Sequence, residues 1–395
     1  MTGRRPTVLY TSSDASPQSG AFRWLLEMAR GMAERGYRPV LVLPEEAAPG
    51  WPPRGAPRLP AHFLPLPRIR RGRSVGGNVA ALARMLASGV RLAGIVRRER
   101  VDLVHVNELL DLHGGIGARL AGVPCVWHVR ADTSSWPAPL RRGLPRLVAA
   151  LADEVVCVSG SVREEVFHRA GVRTPKLSVL HDAGPDPSVF RPDLDGSAVR
   201  RELGAVDGAP LVVLVSKLVE PKGHEVLLRA VPRVLEACPS ARFAIVGGEE
   251  AGAHHRRYAE RLRRLARDQG VDGAVRFTGY RDDVALVMAA ADVVVHCPTH
   301  PDPFPGVVLQ GMALGKPVVA SAIGGVPEQV EPGVSGVLVP PGDPAALAEA
   351  IRALVADPAR RRALGRAAAA RVAGAFTREG FFDRLSEIYE RVLRR

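Results

Sequence analysis

THPDPFPGVVLQGMALGKPVVASAIGG, residues 299–325, runs from an acidic, proline-rich loop into a helix, then a buried strand, then a Gly-Gly turn. Asp302 and Gln310 flank Phe304, Pro305, Gly306 and Val307, which read as a helix start. The first backbone N–H groups of a helix lack intrahelical partners and sit at its positive dipole end. A helix start is therefore a natural seat for a phosphate or a sugar hydroxyl.

The same strand–helix alternation extends on both sides of this stretch. Leu211–Val215, Phe243–Val246, Val275–Phe277, Val293–Val295 and Pro317–Ala320 read as strands, with Glu225–Glu236, Arg256–Asp268 and Val284–Ala290 as helices between them. Asp343 reads as an N-cap with Pro344 at the first helical position. In the first half, Thr7–Thr11, Pro39–Leu43, Val101–Val106, Cys125–Val129, Val155–Val158 and Leu177–Leu180 read as strands, and Phe22–Glu34, Asn78–Arg98 and Gly114–Ala121 as helices. Residues 44–75 and 130–145 read as loops. Apolar, β-branched strands separated by helices imply parallel sheets covered on both faces.

The alternation breaks at residues 183–210, where AGPDPSVFRPDLDGS (183–197) is turn chemistry. The expectation is two doubly wound α/β domains: 1–190, and 191–375, followed by a C-terminal helical segment at 376–395 that returns towards the first. Ligands of such sheets sit outside the carboxyl ends of the strands, so two facing domains would enclose a cleft.

A chain of 395 residues, 46% of them hydrophobic, exceeds what one core usually serves. No apolar run is long enough for a membrane span, and the opening MTGRRPTVLYTSSD lacks the apolar core of a signal peptide, so the expected location is the cytoplasm. Cys125, Cys157, Cys238 and Cys297 show no metal-ligand spacing and read as structural thiols. The formal net charge of +13 favours anionic partners, while only 5% aromatic residues argue against nucleic acid. The basic stretch Arg68–Arg73 invites peripheral membrane contact, but a solvated loop is the preferred reading.

Three further features carry chemistry. In SKLVEPKGHEVLLRA (216–230), Lys217 and Lys222 follow a strand, placed to hold a diphosphate and its departing charge. Gly20 opens a helix after the first strand, where a missing side chain permits close approach of an anion. His128 ends a buried strand, with Arg130 and Asp132 beyond it, and His105 and Asn107 repeat the arrangement one strand earlier. Neither GxGxxG nor GxxxxGK[ST] occurs, which disfavours a dinucleotide oxidoreductase and a P-loop nucleotidase. Asp193 and Asp195 read as a turn.

Together these motifs resemble the family-4 retaining glycosyltransferases of the GT-B fold, over nearly the whole chain. The family's spaced acidic pair matches as Asp302 and Gln310, and its phosphate loop as Lys217-Leu218 and Lys222-Gly223. GKPVVAS (315–321), GGVPEQV (324–330), GVSGVLVPPGD (333–343), ALAEAI (346–351), CVSGSVREEV (157–166) and GPDPSVF (184–190) add to the likeness. The resemblance implies two Rossmann-like domains facing across a cleft, the second binding a nucleotide sugar and the first an acceptor. Lys217 and Lys222 would grip the diphosphate. Asp302 and the backbone of Phe304, Gly306 and Val307 would hold sugar hydroxyls. Gln310 would sit by the ribose, Gly20 near the phosphate and His128 near the transferred sugar. The family works without bound metal or cofactor.

The implied function is retaining transfer from an NDP-sugar, a UDP-linked hexose or N-acetylhexosamine, to a hydroxyl of a small natural-product or glycan acceptor. The alternatives are a lipid-linked or cell-surface polysaccharide glycosyltransferase and a non-catalytic nucleotide-sugar-binding homologue. Four departures bear on the choice. Asp302 is a methylene shorter than the usual Glu, Gln310 lacks the charge, Pro305 removes a backbone donor, and Lys217 replaces a forked Arg by a point charge.

Overall fold

The computed structural model describes residues 4–16, 19–53, 58–67, 75–206, 208–249 and 252–395. The chain forms two compact units, Met1–His181 with Glu379–Arg395, and Asp182–Arg378. The break thus falls at Asp182 rather than at 190. The basic stretch 68–73 lies outside the described residues.

The first unit carries a seven-stranded parallel sheet. Its strands are β1 (Thr7–Thr11), β2 (Arg38–Pro44), β3 (Ala61–Leu64), β4 (Leu103–Val106), β5 (Cys125–Val129), β6 (Glu154–Cys157) and β7 (Leu177–Val179), in the order β3-β2-β1-β4-β5-β6-β7. The second unit carries six: β8 (Leu211–Val215), β9 (Arg242–Val246), β10 (Val275–Gly279), β11 (Val293–His296), β12 (Val318–Ser321) and β13 (Val337–Val339), ordered β10-β9-β8-β11-β12-β13. Each order reverses once, between β1 and β4 and between β8 and β11. These are the switch points where a doubly wound sheet opens a crevice. The fold is therefore α/β with two Rossmann-like sheets. The central strands are continuous apolar runs because helices cover both faces: VVV at 293–295 is wholly buried.

Two segments expected as loops hold regular structure. β3 lies within 44–75, and the helix Ala138–Leu151 overlaps 130–145. A four-residue edge strand between prolines shows no readable alternation. Pro145 inside the helix, and Arg141, Arg142 and Gly143 before it, mask its period.

The last helix, Arg378–Leu393, buries Phe381, Phe382, Leu385, Ile388, Tyr389 and Val392 along one stripe. Within the first unit its Phe382 ring lies where a Cβ on Gly31 would stand 2.1 Å away, so only glycine at 31 admits it. Arg391 pairs with the buried Glu154 at 2.8 Å. All four cysteines are unpaired, and Cys125, Cys157 and Cys297 are buried. Among the described residues, no helix is long and apolar enough to cross a membrane.

Candidate functional site

In the second unit, the loops after β8 and β11 meet at the switch point. The loop after β8 passes Ser216 and the exposed Lys217, anchors itself with the buried Leu218, and makes a short 3₁₀ turn, Glu220–Lys222. Gly223 follows at φ +75°, and a Cβ there would stand 1.8 Å from the carbonyl oxygen of Cys297. Only glycine permits that approach. The Cys297 Sγ–H donates to the Gly223 carbonyl at 3.3 Å, and Thr299 N–H donates to the Pro221 carbonyl at 2.9 Å. The two loops are thus tied backbone to backbone.

The consequence is a contact between two residues chosen from sequence. Lys222 Nζ lies 2.5 Å from Asp302 Oδ2, and His296 Nε2 stands 3.5 Å from the same oxygen. Burial opposes the Asp302 charge. Lys222 and His296 outweigh it and hold the carboxyl well below the usual carboxylate range. Burial keeps the His296 imidazole neutral, pushing its pKa down against the attraction of Asp302. Behind them His224 bonds Ser216 Oγ through Nε2 at 2.9 Å and the Tyr258 hydroxyl through Nδ1 at 3.4 Å. Burial and then Lys222 lower its pKa to about 4.

Asp302 is held from below by the Gly-Gly turn. Gly325 N–H donates to the Asp302 carbonyl at 2.9 Å. A Cβ on Gly324 would stand 2.2 Å from that oxygen, and one on Gly325 2.1 Å from the Pro303 carbonyl. The helix Gly306–Ala313 then starts beside it, and no side chain caps its first turn among the described residues. The Pro305 carbonyl receives Gln329 Nε2–H at 3.1 Å, which fixes the helix entry. Gly306 is exposed, and Val307 and Gln310 are half-buried on the same face one turn apart. The Phe304 side chain is buried against Phe376, so its backbone alone borders the site.

The structure thus gathers Lys217, Lys222, Asp302, Phe304, Gly306, Val307 and Gln310 on one edge of one sheet. It adds His296 and the Gly324–Gly325 support, which sequence reasoning missed. The signal for His296 was a histidine closing an all-apolar strand, the same signal that singled out His128.

Gly20 and His128 belong to the first unit. Gly20 is exposed at the start of the helix Gly20–Glu34, where Ser19 Oγ accepts from Phe22 N–H at 3.4 Å, and a Cβ at Gly20 would meet only open space. No packing demand explains this glycine. His128 is fully buried within β5, next to its end. Its Nδ1 faces Arg130 Nη2 at 3.3 Å, while the Nε2 has no hydrogen-bond partner among the described residues. A guanidinium only donates, so Nδ1 accepts and the ring proton resides on Nε2. The His105 ring packs beside it at 5.5 Å and bonds the Tyr389 hydroxyl at 2.7 Å. Burial and then Arg130 push both imidazoles well below their ordinary pKa, His105 to about 3.

The first unit also holds a cavity of about 550 Å³ at the carboxyl ends of β1, β2 and β3. Ser13, Ser16, Glu46, Leu66 and Arg84 line it. Its hydroxyls, carboxylate and guanidinium suit a small polyhydroxylated molecule.

The family described as Glycosyl transferases group 1 matches residues 209–357, and Glycosyltransferase Family 4 matches residues 18–183. The D-inositol 3-phosphate glycosyltransferase 1 of Catenulispora acidiphila is 31% identical over 93% of this chain and 89% of its own. The D-inositol 3-phosphate glycosyltransferase of Thermomonospora curvata is 33% identical over 75% of this chain and 74% of its own. Among solved structures, Anabaena HepE in complex with UDP-glucose superposes with TM-score 0.81 at 24% identity, covering 97% of this chain and 99% of that one. Sucrose-phosphate synthase from Thermosynechococcus elongatus does so with TM-score 0.78 at 23% identity, covering 98% and 99%.

Proposed function

Because the chain belongs to the family-4 glycosyltransferases of the GT-B fold, and is a glycosyltransferase drawing on nucleotide sugars, we propose that its donor is a UDP-linked hexose or N-acetylhexosamine and that it retains the anomeric configuration. The observation that carries this reading is the Lys222–Asp302 pair beside an uncapped helix start, at the switch point of the second unit. A lysine already held by a carboxylate is pre-positioned, and a bound diphosphate competes for it. Lys217 and Lys222 hold the diphosphate. Asp302 and the N–H groups of Gly306 and Val307 take sugar hydroxyls, and the Gln310 carbonyl accepts from a ribose hydroxyl. In the first unit, the exposed Gly20 offers an anion close backbone approach, while the wholly buried His128 supports the end of β5. No cofactor or metal enters this scheme. The departing phosphate assists deprotonation of the acceptor hydroxyl.

For the acceptor we propose a small polyhydroxylated molecule bearing a phosphate, seated in the Arg84-lined cavity. The relatives' names point to such a molecule, and Arg84 beside two serines suits it. The experiment is incubation of the protein with UDP-sugars and inositol phosphates, with the product followed by mass and its anomeric configuration by NMR. A glycosylated inositol phosphate that keeps the donor's configuration is expected. An inverted product would refute retention. Equal use of unphosphorylated inositol would refute the acceptor reading.

A further inference from the structure

We propose that the first unit carries a second ligand site, for a small phosphate-bearing anion, at the opposite end of its sheet from the Arg84 cavity. A cavity of about 510 Å³ opens at the amino ends of β1 and β2, where Thr7 and Arg38 begin the strands. Arg4, Arg5, Arg38, Arg100, Tyr37 and Glu99 line it.

Arg100 is held in an unusual backbone conformation. It has φ 51°, and among the described residues it is the one non-glycine with positive φ. It follows the helix Val75–Arg98, where Arg100 N–H bonds the Arg97 carbonyl and Val101 N–H the Val96 carbonyl. That pair of bonds is the Schellman ending, which calls for a left-handed residue. Among the described residues the chain ends other helices with the same two bonds and uses glycine each time: Gly36, Gly122, Gly171, Gly204, Gly270 and Gly315. An arginine in this conformation is strained, and residues held in strain cluster at ligand sites. Complementing the helix dipole does not account for it, because Arg97 and Arg98 already occupy the last turn.

The guanidinium groups around the cavity are used unequally. Arg4 donates to the Arg100 carbonyl at 3.1 Å and to Asp102 Oδ1 at 2.6 Å. Arg38 donates to Glu99 Oε2 at 2.8 Å, and His62 Nε2 faces Glu99 Oε1 at 3.0 Å. These bonds brace the 99–102 turn from both sides. The Arg5 and Arg100 heads make no hydrogen bond or ion pair among the described residues. Four guanidiniums against the carboxylates of Glu99 and Asp102 leave a positive surplus, and forked guanidiniums match phosphate oxygens. Tyr37, Ala33 and Pro39 supply an apolar wall for a small organic body.

The test is isothermal titration of the full-length chain with pyrophosphate, in a Lys217→Ala/Lys222→Ala/Arg84→Ala background that weakens both the donor site and the Arg84 cavity. Adding Arg5→Ala and Arg100→Gly should weaken the remaining binding at least ten-fold. Arg100→Gly alone should melt at or above the parent's temperature, since glycine adopts positive φ freely. Sedimentation with phosphatidic acid vesicles, lost in the Arg5→Ala/Arg100→Gly variant, would assign the phosphate to a lipid headgroup. Titration without sedimentation would assign it to a soluble phosphate ester. Pyrophosphate binding in that background undiminished by Arg5→Ala and Arg100→Gly would overturn the proposal, and so would a lowered melting temperature for Arg100→Gly, which would make Arg100 a structural residue.

Discussion

Lys222 Nζ lies 2.5 Å from Asp302 Oδ2, joining side chains 80 positions apart in the chain. Asp302 is 15% exposed and Lys222 32%, so each is partly shielded from water and depends on the other. Removing one partner leaves the other charge half-buried and uncompensated. Lys222→Ala should therefore lower stability, and Lys222→Ala with Asp302→Asn should lower it less than the sum of the two single changes. A double-mutant cycle by urea denaturation measures the coupling. Strict additivity would mean the two groups do not interact in solution.

Gly324→Ala should displace the loop that carries Asp302. The added Cβ would stand 2.2 Å from the Asp302 carbonyl oxygen, at φ +63°. Strain in the left-handed region alone costs about 1–2 kcal/mol. The clash shifts Asp302 as well, so donor KM should rise along with the stability loss. Unchanged KM in a destabilised protein would separate the turn from recognition.

Gln310→Glu should tighten donor binding. Gln310 is half-buried on the face of the helix that Gly306 begins. On the proposed placement of the ribose, a carboxylate there turns a neutral hydrogen bond into a charge-assisted one, a gain of about 1 kcal/mol or roughly five-fold in affinity. Calorimetry with the nucleoside diphosphate reads it directly. Weaker binding would place the ribose elsewhere.

Stability should fall on acidification in two stages. Burial lowers the pKa of His105 to about 3 and of His224 to about 4, and lowers His128 and His296 as well. Below pH ~6.5 these histidines take up protons in the unfolded chain and stay neutral in the folded one. Each then costs roughly 1 kcal/mol per pH unit until its folded pKa is reached. The Asp302 pKa is lowered too, not by burial, which opposes it, but by Lys222 and His296. Its depressed carboxyl stabilises the fold above pH ~4, and that contribution is lost as pH falls further. Denaturation midpoints at pH 7.5, 6 and 5 test the first stage. A flat profile across them would contradict neutral buried imidazoles.

Much of this architecture was legible in the sequence because it rests on local signals. The runs LVVLV at 211–215 and CVWHV at 125–129 are strands in the structure, and Asp343 caps its helix by accepting from Ala345 N–H at 2.9 Å and Ala346 N–H at 3.0 Å. The helix Ala138–Leu151 and the strand Ala61–Leu64 were hidden because prolines and arginines interrupt their periods. Lys222 and Asp302 each stand out in the sequence by their position after a strand. Their contact was not legible, because it depends on Gly223 and Gly324 letting backbones approach closer than any side chain allows. His296 closes an apolar strand, much as His128 stands next to the end of its own, and only the Asp302 carboxylate 3.5 Å away shows what it serves.

The most direct test of the central claim is release of free nucleoside diphosphate from a panel of UDP-sugars, quantified by mass spectrometry for the wild type and Lys222→Ala in parallel. The site described here predicts release from at least one donor by the wild type, and a drop of about 10²–10³-fold in Lys222→Ala, the loss expected when one charge-stabilising donor is removed. Release at equal rates by both proteins, or neither binding nor cleavage of any donor by the wild type, would contradict it.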